Sequence, residues 1–185
     1  HENVLARMTA AGRPATERPL NSFFEDDRDF YFNGEAVFIH HVPGAHTDGD
    51  SLVYFRGSDV LVAGDIFLTT TYPVIDLDGG GGVEGVVTGL NMMLDITVPR
   101  YLQDGGTYVI PGHGRVSDEA DVVEYRDMMV FIRDRVRDLV AKGRTLDQVK
   151  AARPSLDYDP RYGAGTGPWT TAMFIEAVYR DLSGK

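Results

Sequence analysis

Hydrophobic and polar positions alternate from Phe30 to Ala63 in short runs with no helical stretch between them. Phe30-Tyr31-Phe32, the pair Asn33-Gly34 and the run Glu35 to Val42 predict a hairpin, because Asn-Gly supplies the two positive φ angles of a type I′ turn. Leu52 to Phe55, a turn at Gly57-Ser58 and Val60 to Ala63 predict a second hairpin. Such a series describes antiparallel strands of one sheet. Tyr108-Val109-Ile110 reads as one further strand.

The period then changes. Val83, Val86, Val87, Leu90 and Leu94 fall on one helical stripe, as do Val122, Tyr125, Met129, Ile132, Val136, Leu139 and Val140. Thr145 is placed to cap a short helix ending before Pro154, and Ile175, Val178, Tyr179 and Leu182 share a face of a last helix whose first turn is expected at Pro168. Tyr158 to Gly167 reads as an aromatic, glycine-rich loop. Val4, Leu5 and Met8 mark the end of a helix stopped at Gly12 and Pro14, and its start without a cap implies chain before it. The order predicts an α/β protein with helices on one side of a sheet, in one domain over residues 1–185 without internal repeat.

Composition narrows the partners. With 28 acidic against 18 basic side chains the formal charge is −10, which disfavours nucleic acid and anionic membrane surfaces. No apolar run approaches the ~20 residues of a membrane span. The chain has no cysteine, so disulfides and thiolate metal ligands are excluded while the compartment stays open.

Three strands stop at glycine and deliver a possible metal ligand each. Val42-Pro43-Gly44-Ala45 leads to His46, Val60 to Ala63 leads to Gly64-Asp65, and Tyr108-Val109-Ile110 leads to Pro111-Gly112-His113-Gly114. Imidazole and carboxylate are ligands of zinc and related ions. A single histidine after a strand is commonly a hydrogen-bonding residue; three such positions in this order carry more weight. His40 and His41 are neighbours on a strand and point to opposite faces, so they do not chelate as a pair. Asp48 and Asp50 are placed to hydrogen-bond the loop or His46. The run Gly79 to Gly82 lacks the Lys-Ser/Thr partner of a phosphate loop and reads as a flexible loop beside the site.

The order His46, Gly64-Asp65, Pro111-Gly112-His113-Gly114 resembles the metallo-β-lactamase superfamily of metal-dependent hydrolases. The resemblance runs from about Val37 to Gly114 and more loosely into the helices beyond. It implies an αββα sandwich, present here mainly as its C-terminal half. His46 would bind one zinc ion, His113 the other, and Asp65 would bridge them as the catalytic-site carboxylate. Zinc-bound hydroxide would attack a small-molecule ester, thioester or lactam. The chain departs from the family in lacking the His-x-His-x-Asp-His signature, since only His1 precedes His40. Three of roughly seven ligands are then present. This predicts a site holding one zinc or none, an isolated chain with impaired activity, and pairing with a second copy or with a missing N-terminal segment. Two other readings stand beside it: a non-catalytic fragment or relative working as a binding module, and an unrelated α/β protein with a coincidental His-Asp-His order.

Overall fold

The structure is a computed structural model that describes residues 1–184. Strands β1 (Asp27–Phe32), β2 (Glu35–Val42), β3 (Asp50–Phe55), β4 (Val60–Leu68) and β5 (Tyr108–His113) form one sheet in sequence order. The first four pair antiparallel, and β5 joins β4 in parallel. Asn33 and Gly34 have φ of 50° and 88°, as the predicted turn requires. The parallel pairing needs a crossover, which α1 does not serve: α1 (Glu2–Ala10) precedes the sheet, and α2 (Val83–Ile96) makes the connection.

One face of the sheet carries Val42, Leu52, Leu61, Ala63 and Val109, all fully buried. They form a continuous core with Val86 and Leu90 of α2, with Tyr125, Met129 and Ile132 of α3 (Glu119–Ala141), and with Phe174 and Val178 of α6 (Thr171–Ser183). The helices thus lie on one side, as the periodicity predicts.

The other face is different. By register, Phe30, Val37, Ile39, Val53, Phe55, Val60, Val62, Tyr108 and Ile110 share it; Val37 at its middle is buried, but among the described residues no helix of the core packs over this face. Phe30, Phe32 and Tyr108 are exposed, and β1 is exposed along its whole length. The molecule is one sheet and one helical layer, with an apolar face left open.

Four local expectations are corrected. β4 does not stop at Gly64 but runs to Leu68, because a left-handed Gly64 (φ 55°) and two register shifts let it bulge and continue. The 158–167 segment contains a short helix, α5 (Asp159–Tyr162), started by Pro160 near its N-terminus, between α4 (Leu146–Ala152) and α6. The last helix begins after Pro168, at Thr171, because the Thr170 side chain accepts from the Met173 N–H and fixes the start there. The first helix is capped by His1, whose Nδ1 accepts from the Asn3 N–H. Among the described residues no helix is long and apolar enough to cross a membrane.

Candidate metal centre

His46, Asp65 and His113 converge although 67 residues separate the first from the last (113 less 46). Nε2 of His46 lies 3.9 Å from Asp65 Oδ2, and Nε2 of His113 lies 3.6 Å from Asp65 Oδ1. One carboxylate therefore stands between two imidazoles and turns a different oxygen to each.

Each side chain is placed by its backbone. The loop carrying His46 is tied internally, because Asp50 accepts from the N–H and the hydroxyl of Thr47 at 2.8 and 3.1 Å. Its carbonyls reach across to the glycine run: the His46 carbonyl accepts from Asp76 N–H at 2.9 Å and the Ala45 carbonyl from Gly82 N–H at 3.0 Å. A Cβ on Gly81 would run into the His46 carbonyl oxygen, and one on Gly85 into that of Gly44. The glycines let two backbones touch. This corrects the expectation of a flexible loop: the segment is a close-packed brace.

The bulge in β4 turns Asp65 toward β5, where Gly112 leaves room for it; a Cβ there would collide with Asp65 Oδ1. His113 is anchored through its carbonyl, which accepts from Thr69 N–H at 3.2 Å. Its side chain remains 74% exposed, against 24% for His46.

Nδ1 of His46 lies 2.8 Å from the Val74 carbonyl. A carbonyl only accepts, so this nitrogen carries a proton, and in the neutral imidazole the lone pair is then on Nε2, the nitrogen facing Asp65. Ligating histidines are held in this way by a second hydrogen bond. The remaining histidines serve elsewhere. His40 pairs with Asp27 at 2.5 Å, while His41 is buried, stacks on His1 at a ring distance of 3.7 Å and meets the Asp48 carbonyl at 2.8 Å. Asp48 pairs with Arg7, while Asp50 hydrogen-bonds the His46 loop at Thr47.

The donor chemistry fits a metal ion, and the donor number does not. Two ligands of one tetrahedral zinc lie roughly 3.4 Å apart, from bonds of about 2.0–2.1 Å. The His46–Asp65 and Asp65–His113 separations are a few tenths of an ångström wider than that edge. Yet each side of Asp65 gathers two donors, and among the described residues no group of three or more His, Cys, Asp or Glu could hold a metal together.

The fold and this centre define a single sheet backed by helices, with two imidazoles and one carboxylate gathered at its edge. The sequence matches the profile of the metallo-beta-lactamase superfamily over residues 2–124, and the chain belongs to that superfamily. Among solved structures it is similar to the stereoselective inverting sec-alkylsulfatase Pisa1 from a Pseudomonas species, with a TM-score of 0.66 and 17% identity over 88% of this chain and 26% of that one. It is similar to a metallo-beta-lactamase from Pontibacter korlensis, with a TM-score of 0.50 and 16% identity over 68% of this chain and 55% of that one. The DIM-1 metallo-beta-lactamase gives a TM-score of 0.52 and 17% identity, over 68% and 53% of the two chains. At these identities the likeness is one of fold. The chain spans about a quarter of the alkylsulfatase and about half of either lactamase. No curated protein sequence matches it.

Proposed function

We propose that this chain is part of a zinc-dependent hydrolase, and that His46, Asp65 and His113 are its share of a two-metal site. The placement of Asp65 between two imidazole nitrogens, one oxygen toward each, carries the reading. In a completed site zinc would polarise the scissile bond of an ester, thioester or lactam-like small molecule and activate water. The roles of the chain's own residues follow from their geometry. His46 is held by Val74 in the tautomer that leaves Nε2 free, and Asp65 joins the two halves of the centre.

The remaining ligands come, in this proposal, from an N-terminal part of the same protein carrying the His-x-His-x-Asp-His signature and a second sheet. The open apolar face supports this, since Ile39, Val53, Val62 and Ile110 form a surface of the kind two packed sheets bury between them. The same surface would also seat a second copy of the chain. A second reading, a non-catalytic relative that works by binding, draws on the lack of any three-ligand group among the described residues. Turnover separates them. The chain and a longer polypeptide that includes the preceding sequence are assayed side by side with added zinc against an ester and a lactam. Turnover by the longer protein alone, abolished by His113→Ala, is expected. Inactivity of both leaves the binding module, and equal turnover by both refutes the shared site.

A further inference from the structure

Beside the metal centre lies a cleft of about 420 Å³, and His46 is part of its wall. That volume falls in the range of small-molecule sites. Its opposite wall is α6, where Met173, Glu176, Ala177 and Arg180 recur at helical spacing on one face. The core-facing stripe of Ile175, Val178 and Tyr179 lies on the other side of the same helix. Ile75 and Leu77, from the loop that also supplies the Val74 carbonyl to His46, and Trp169 complete an apolar lining. Met173 is 43% exposed although it is apolar, and the Trp169 indole nitrogen is buried without an acceptor among the described residues. Charge at the cleft is lopsided: Asp76, Asp78 and Glu176 face one guanidinium, Arg180, and Glu176 is already paired with Lys150 at 2.6 Å.

We infer that this cleft is the binding site for an uncharged alkyl or aryl group of the substrate, with the bond to be cleaved at the His46 end. The inference rests on the hydrolase reading of that centre and adds the substrate class. An apolar wall gains from burying hydrocarbon, and with Glu176 paired to Lys150 the one carboxylate that Asp76 and Asp78 leave in excess of Arg180 disfavours an anionic tail. Met173 and Trp169 are then specificity residues that touch the substrate's non-reacting part.

Trp169 is the only tryptophan of the chain, so its emission reports on this cleft directly. The chain is titrated with primary alcohols from 1-butanol to 1-octanol, and with octanoate. A saturable change in emission is expected, tightening about three- to four-fold per added methylene, with octanoate several-fold weaker than 1-octanol. Met173→Asp lowers the 1-octanol affinity at least tenfold while Met173→Leu preserves it. No saturable change, no dependence on chain length, or equal affinity in Met173→Asp overturns the inference. The readout needs no metal: alcohol binding without zinc binding in the longer protein refutes the hydrolase reading alone, and zinc binding without alcohol binding refutes the cleft alone.

Discussion

At the residue scale, histidines in one chain are put to different uses by what each nitrogen meets. His46 has one nitrogen tied to Val74 and the other free toward Asp65, which prepares it as a donor. His41 is enclosed, and burial, joined by the repulsion of the ammonium on His1, pushes its imidazole below the ordinary value against the pull of the Asp26 and Asp50 carboxylates. The sign of the consequence is fixed. A group whose folded pKa is lowered is protonated more readily in the unfolded chain, so acidification favours unfolding. Stability is therefore expected to fall as pH drops below the ordinary histidine value of ~6.5. Thermal unfolding midpoints between pH 7.5 and 5.5 check this, and His41→Gln flattens the slope if the assignment holds.

At the scale of elements, the strands, the hairpin turn at Asn33-Gly34 and the apolar stripes of α2, α3 and α6 were legible because local periodicity reports burial directly. The bulge that carries β4 past Asp65 was not, since Gly64 alone reads equally as a strand end or as a left-handed kink. The glycine run was misjudged for a similar reason. Glycine signals freedom in sequence, but here it signals close approach, which depends on a segment some 35 residues away that composition does not reveal. Gly81→Ala should cost about 1–3 kcal/mol, the scale of overpacking a tight contact. Gly165→Ala, where a Cβ meets nothing within 4 Å, should stay within about 0.5 kcal/mol. Denaturant unfolding of the two variants measures the difference.

For the molecule as a whole, the sheet has a helical layer on one face and an open apolar surface on the other. That His46, Asp65 and His113 would meet was legible from their places after apolar runs, and their meeting follows from β4 and β5 pairing in parallel so that Asp65 and His113 emerge at one edge. The cleft was not legible, because it joins a loop after β4 to a helix about 100 residues later. The open face makes a solution prediction. Exposed contiguous apolar surface drives association, so the chain should self-associate with rising concentration and Val62→Lys should shift it toward monomer. Light scattering reads this, and a monodisperse monomer of the unaltered chain at high concentration counts against the surface being an interface.

If His46, Asp65 and His113 are half of a shared two-zinc centre, the protein's metal content shows it. The chain, the longer polypeptide and its Asp65→Ala variant are dialysed against zinc, and bound metal is counted by atomic absorption. Two zinc ions are expected in the longer protein, less than one in the chain, and loss of both on Asp65→Ala, because that carboxylate would serve each ion. Two zinc ions retained by the chain alone, or an unchanged count in the Asp65→Ala variant, would contradict it.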